Sequence, residues 1–482
     1  MEDDQIERIT EWPVTVNLSN IGENNSELQY EDQSSNLACS PLRKKKKIEN
    51  SQPTFPRTTT HGIPNCPEAL ASVRVARWWR KQNLCMDPTA ATSPNTKLYK
   101  VLRTTECIDF LVGERTKLLR QKEKLSSHER GDIHAALASI EDWLENYPTA
   151  LLHIEHAVSI NPNNSEYMWL KEKLKRQCDI LKIQMEILNT GECIPKEFPA
   201  FFEVERISSA DLSVEEIVNN FIMRKKPVII TGLEMTKSSW NLDFVKSVAG
   251  THKVKVKCAV SDSVEWARLE ESSLTTVGEF ISKVEKNETN EYLFDWSLPL
   301  HCPELAQDLV IPKYFADNFL HVTAPGTLYH DSWPSLFISP KGALSNLHVD
   351  AFASNFWMVL FQGQKRWTFF DSEDLPLLYP HYFHSMDPVF KVNLAHPDLA
   401  SFPLLGLTKP RQCVLQPGEL LFVPGGSPHY VENLSATLAV SSNHVDHSNF
   451  KEVCEELRIN GLIDPRAADL LNQLQNLIKD SD

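Results

Sequence analysis

The sequence has no CxxC pair: its 10 cysteines stand singly, so neither a zinc knuckle nor a dithiol redox motif is available. Single thiols suit the reducing cytosol or nucleus. No apolar run approaches the ~18 residues a membrane helix needs, and the opening residues Met1 to Thr10 are acidic where an export signal is basic and then apolar. The reading is a soluble, unexported protein of the nucleus, the cytoplasm or both. Basic residues are also short, 49 Lys and Arg against 64 Asp and Glu for a net charge of −15. That balance excludes a chain that coats nucleic acid, because phosphate binding needs an excess of cations on one face.

What is present begins with length. A chain of 482 residues with 41% hydrophobic content exceeds one ordinary domain and can bury a sizeable core. Residues 1–70 are rich in Ser, Asn, Pro, Glu and Thr without sustained periodicity, as in a disordered segment. Within them Arg43-Lys44-Lys45-Lys46-Lys47 forms a basic block of the type importins read, or a solvated charge run. From 71 to 198 apolar residues recur at helical spacing, as in Ile133, Leu137, Ile140 and Leu144. Residues 150–164 have the look of one tetratricopeptide unit. A solenoid needs several such units, so a plain helical bundle is the expectation.

From 199 to 450 the texture is short β-rich runs broken by Pro, Gly and Asn, with strands expected at 226–232, 253–259, 335–339, 356–361, 365–370, 412–415, 419–423 and 437–443. So many short strands with few long helices predict two facing sheets, an all-β jelly roll behind a helical region and α+β overall. The tail, 451–482, reads as helical, packed on the domain or on a second copy as a homodimer contact.

His348 and Asp350 stand two apart, so on extended backbone both side chains leave one face and offer two ligands to one metal. Among 16 histidines such a spacing arises about once by chance, and the pair alone is weak. A second pair, His444 and Asp446, comes after the last strand with little chain left to build a pocket. The first pair has better surroundings. A hairpin-like turn at Gly363 precedes Lys365 on the returning strand, which could meet the distal carboxylate of a diacid, with Arg366 on the opposite face. A Gly-rich corner, Val423-Pro424-Gly425-Gly426-Ser427-Pro428-His429, presents a histidine where a tight backbone admits it. Thr437, Ala439, Ser441 and Asn443 alternate on one strand face, with the last two as polar groups on a small-residue floor.

Taken together, the segments 226–233, Tyr292-Leu293-Phe294-Asp295, Pro312-Lys313-Tyr314-Phe315, His348 to Trp367 and Pro417 to Tyr430 resemble the JmjC family of Fe(II)- and 2-oxoglutarate-dependent oxygenases. The look is closest to its arginine demethylase/lysyl hydroxylase and factor-inhibiting asparaginyl hydroxylase members. The resemblance implies a cupin-like double-stranded β-helix, catalytic iron on His348, Asp350 and His429, and 2-oxoglutarate on Lys365 and Ser345, with O2 as co-reactant. Tyr292, Ser441 and Asn443 fall where the family places further co-substrate contacts. Met358 replaces a polar residue common in the family, and Ser427-Pro428 replaces a Trp-rich pair.

Three functions fit such a chain: hydroxylation of a protein side chain, N-methyl demethylation of a histone or other protein, or an inactive scaffold that binds partners. With no zinc cluster or other chromatin-reading module, hydroxylation of a protein or peptide is the first expectation. The residues themselves do not name the substrate.

Overall fold

The structure, a computed structural model, describes residues 92–122, 127–191 and 193–479. The basic block at 43–47 and the rest of the segment 1–70 lie outside the described residues. Two units are distinguished.

The smaller unit, described over 100–122 and 127–163, is helical. After α1 (Pro94–Leu102), which leads into it, come α2 (Thr105–Lys122), α3 (Ser127–Trp143) and α4 (Tyr147–Ile160). Of the expected stripe, Ile133, Leu137 and Ile140 are at 0–1% exposure on α3, buried like Ala150, Ile154 and Ala157 of α4, while Leu144 lies just past the end of α3 and is half-buried. Proline in the first turn of α4 costs no helical hydrogen bond, because that N–H has no partner in any helix.

The larger unit opens with α5 (Ser165–Asn189), whose first turn is capped by the Asn164 side chain accepting from the Tyr167 N–H. The strands that follow are β1 (Phe202–Glu203), β2 (Glu205–Ser208), β3 (Val228–Thr231), β4 (Lys253–Ala259), β5 (Leu269–Thr276), β6 (Leu293–Ser297), β7 (Ser335–Ser339) and β8 (Leu344–His348). Then come β9 (Asn355–Gln362), β10 (Lys365–Phe369), β11 (Pro380–His381), β12 (Val389–Phe390), β13 (Arg411–Leu415), β14 (Leu420–Val423), β15 (His429–Asn433) and β16 (Thr437–His444). One sheet has the order β1-β13-β10-β15-β8, the other β2-β3-β14-β9-β16-β7-β6. This is the jelly-roll arrangement expected.

The period-two alternation of strands sorts the side chains into two layers. On β14, Leu420 and Phe422 join an outer core with Val245, Phe280 and Ile281, contributed by α6 (Leu242–Ala249) and α7 (Val277–Glu285). Leu421 and Val423 turn the other way, into the layer between the sheets, beside Phe356, Met358, Trp367 and Leu415. Burial on both faces explains why β14 reads as an unbroken apolar run.

The turn at Gly363 departs from expectation. Although only two residues separate β9 from β10, no hairpin forms: β9 pairs with β14 and β16, and β10 pairs with β13 and β15. The chain crosses between sheets there, at φ 87°, and a Cβ on Gly363 would collide with the Ala436 carbonyl oxygen.

The tail forms α8 (Phe450–Asn460) and α9 (Pro465–Lys479). Their apolar residues Val453, Leu457, Ala467, Leu470 and Leu474 pack with Leu320, Phe352 and Val445 of the same chain. No helix among the described residues is long and apolar enough to cross a membrane.

Candidate active site

Strands β8 and β15 pair antiparallel, with His348 and His429 directly opposite. Asp350, two residues beyond His348, stays extended (φ −67°, ψ 149°) before a short turn begins, so its carboxylate returns to the same side. Its Oδ1 lies 3.9 Å from Nε2 of His348 and 3.9 Å from Nε2 of His429. Ligand atoms of all three residues fall within 4.8 Å of one another, and among the described residues no other trio of such side chains does so.

The proton positions on the rings follow from their outer contacts. Nδ1 of His348 donates to the Asn346 carbonyl at 2.6 Å, and Nδ1 of His429 to the Ser427 carbonyl at 3.0 Å. Each Nε2 is thereby left as a lone pair aimed at the common centre. Burial works in the same direction, holding His348 well below the ordinary histidine range and His429 down to about 4, so both rings are neutral. Burial also pushes Asp350 up to about 7, against the Asn443 amide that favours its ionised form. Two neutral imidazoles and one carboxylate on one face are a donor set suited to Fe(II) that keeps coordination positions open.

Local sequence explains how these side chains come together. Gly425 runs so close to the turn before β9 that a Cβ would enter the Ala353 carbonyl, and its N–H donates to the Asn355 side-chain oxygen at 2.8 Å. Asn443 donates at 2.9 Å both to Asp350 Oδ2 and to Ser354 Oγ. The Trp266 indole N–H donates to the Val349 carbonyl at 2.8 Å, and its ring meets His348 edge-on at 4.3 Å.

Lys365 is fully buried and makes no ion pair among the described residues. Its ammonium donates to the Tyr292 hydroxyl at 2.9 Å and to Asn433 Oδ1 at 2.7 Å, both uncharged. Burial drops its pKa to about 7. Ser345 and Ser339 also bond the Tyr292 hydroxyl, and Ser339 shares a 2.6 Å hydrogen bond with Thr437, which donates to Asn433. A buried cation among neutral hydroxyls and an amide fits a carboxylate that comes from outside the chain. Arg366 points away and pairs with Glu432 at 2.8 Å.

Lys365, Tyr292 and Ser345 are thus brought together. Ser441 and Asn443, expected as a floor for the same ligand, are engaged elsewhere: Ser441 donates to the Trp357 carbonyl at 2.9 Å and Asn443 holds Asp350. Met358 sits in the layer between the sheets with Tyr292 and Ala439. His444 and Asp446 gather no third ligand among the described residues. The His444 ring is buried against Phe315 and Phe422, its Nε2 3.5 Å from Asp446. Sequence reasoning missed Asn433, Ser339 and Trp266. Asn433 stands four residues beyond His429 on β15 and so on its face, a relation visible only once that strand is known.

A cleft of about 430 Å³ opens beside Asp350, bounded by α5, α8 and the segment 382–388.

Residues 214–450 match the cupin-like domain family. Over 248 residues the chain is 30% identical to lysine-specific demethylase 8 of Danio rerio, covering 50% of this chain and 57% of that protein. It is 26% identical over 282 residues to arginine-specific demethylase JMJ20 of Arabidopsis thaliana, covering 53% and 60%. With the bifunctional arginine demethylase and lysyl-hydroxylase psr-1 of Caenorhabditis elegans it shares 25% over 288 residues, covering 58% and 70%. Residues 214–450 of this chain form a cupin-like domain, similar to proteins named as lysine- and arginine-specific demethylases and a lysyl-hydroxylase. The matched span covers His348, Asp350, His429 and Lys365. The alignments span little more than half the length of the first two relatives.

Proposed function

We propose that this JmjC protein is an Fe(II)- and 2-oxoglutarate-dependent oxygenase acting on a protein side chain. The observation that carries the reading is a conjunction: a two-histidine, one-carboxylate trio stands in the same barrel as a buried lysine with no counter-charge. His348, Asp350 and His429 would hold the iron. Lys365, supported by Tyr292 and Ser345, would hold the distal carboxylate of 2-oxoglutarate. Bound there, iron, 2-oxoglutarate and O2 supply oxidative decarboxylation coupled to insertion of one oxygen atom into a substrate C–H bond.

The chain's own residues do the rest. The Asn346 and Ser427 carbonyls fix both imidazoles as neutral Nε2 donors. Asn443 orients the Asp350 carboxylate. The aromatic lining of Trp266, Phe356 and Trp367 around the rings excludes water. Asn443 and Ser441 then act as supports for the site rather than as co-substrate contacts.

Hydroxylation of a side-chain carbon remains the first reading. Oxidation of an N-methyl carbon, which ends in demethylation, is the second, supported by the demethylase names of the relatives. Purified protein with Fe(II), 2-oxoglutarate and a peptide pool tests both. Succinate release with a peptide mass gain of one oxygen supports hydroxylation, and loss of a methyl group supports demethylation. No iron-dependent succinate release returns the chain to a binding role.

A further inference from the structure

The helical unit carries a group of histidines that the barrel does not use. His134 stands on α3, and His153 and His156 stand three residues apart on α4, a spacing that puts both on one helix face with Cβ atoms about 5–6 Å apart. Gly131 lets the two helices approach one turn away: a Cβ there would lie 2.8 Å from Nδ2 of Asn161 and 3.2 Å from Cγ2 of Ile160. His134, three residues further on and so on the same face of α3, meets both histidines of α4. Its ring centre lies 5.1 Å from that of His153 and 5.0 Å from that of His156.

These separations suit imidazoles arranged around one ion. With Zn–N bonds of about 2.0–2.1 Å, two histidines on a tetrahedral zinc hold their nitrogens about 3.3 Å apart and their ring centres about 5 Å apart. Nδ1 of His134 and Nδ1 of His153 are 3.0 Å apart, so a small outward movement makes room for the metal. At that distance one ring donates its proton to the lone pair of the other. Moving that proton to Nε2 of its own ring leaves both rings neutral, with two lone pairs for a cation. His134 and His153 are half-buried, and His156 is exposed at the rim. The three do not converge as tightly as the barrel trio, and His156 completes the set by turning about its side-chain bonds. Imidazole nitrogens as the only protein donors suit zinc, copper or nickel, whereas magnesium and calcium call for oxygen ligands.

We propose that His134, His153 and His156 form a metal site of the helical unit, bridging α3 and α4, that takes zinc or a chemically similar transition-metal dication with water in the fourth position. The site uses none of the residues assigned to iron or 2-oxoglutarate, so it is independent of the oxygenase reading.

The experiment counts zinc. The full chain, stripped of metal, is dialysed against zinc chloride at free concentrations set by a chelator, and bound zinc per chain is read by atomic absorption. Wild-type protein should hold one zinc ion per chain more than His134→Gln or His153→Gln, whether or not the barrel site also takes zinc. His156→Gln changes an exposed side chain and should keep the wild-type circular dichroism spectrum, while zinc affinity at this site falls at least about tenfold. His396→Gln, a change at an exposed histidine of the larger unit, should leave the wild-type count. Equal zinc content in wild type and all three cluster variants overturns the proposal. So does an unchanged affinity in His156→Gln, which would leave a histidine pair without its third ligand. A matching loss in His396→Gln also overturns it, because zinc would then be held by surface histidines at large.

Discussion

The Asn443 amide nitrogen lies 2.9 Å from Oδ2 of Asp350 and 2.9 Å from Oγ of Ser354, joining the end of β16 to the carboxylate proposed as a metal ligand. One amide therefore restricts the carboxylate's rotation and favours its ionised form. Asn443→Ala is expected to weaken Fe(II) affinity by about 10- to 100-fold while 2-oxoglutarate affinity at saturating metal changes little. Metal titration followed by co-substrate titration checks this, and an unaltered metal affinity would assign Asn443 a different role.

Lys365→Met replaces a buried ammonium with a side chain of similar length. Loss of one charge-assisted pair should raise the Kd for 2-oxoglutarate by about 10- to 100-fold. Thermal stability should hold or rise, since a lone buried cation is costly. Calorimetric titration and a melting curve report the two effects separately.

The same lysine predicts a pH dependence. Its folded pKa is lowered to about 7 by burial, so the free site carries the ammonium below that pH and a neutral amine above it. A dicarboxylate binds the ammonium form, so affinity should be level below pH 7 and fall as pH rises, by up to about tenfold per unit. Titrations of metal-loaded protein between pH 6 and 8.5 should show this slope, and a flat profile would place the carboxylate elsewhere.

His444→Ala should cost about 2 kcal/mol of stability, because the ring is packed against Phe315 and Phe422, while leaving metal binding intact. His348→Ala should do the opposite, abolishing Fe(II) binding and turnover. A reversal of that pattern in metal analysis of the two variants would exchange their roles.

Gly425→Ala should destabilise the protein by about 1–3 kcal/mol and loosen the metal site, because the added Cβ enters the Ala353 carbonyl. Urea unfolding, with metal affinity measured on the fraction that folds, tests it.

Strand texture was legible where apolar side chains alternate along a strand or fill it. The runs at 253–259, 335–339 and 437–443 correspond closely to β4, β7 and β16. Strands β8 and β15 were not located in advance, because they carry the site's polar residues and so lack an apolar pattern. Pairing was less legible still. Two residues between β9 and β10 suggest a hairpin, and only the strand pairing shows that the chain changes sheet. The neighbours of Lys365 divide likewise. Tyr292 belongs to a motif seen in the sequence, whereas Asn433 resembles an ordinary turn residue until its register with Lys365 across β10 and β15 is known. Ser441 and Asn443 share a strand face as expected. Alternation fixes the face a side chain takes and leaves its hydrogen-bond partner open, and theirs lie on β9 and at Asp350.

His348 and His429 are cross-strand partners at the margin of the five-stranded sheet, since β8 is its outermost strand. An ion gripped by both would act as a rivet on that margin, fastening a strand held on one side only. Its free energy of binding would add to the sheet's resistance to fraying, by about 2.7 kcal/mol when free metal is a hundredfold above Kd. Metal supply would then govern the protein's lifetime as well as its chemistry, with β8 the first place where scarcity is felt.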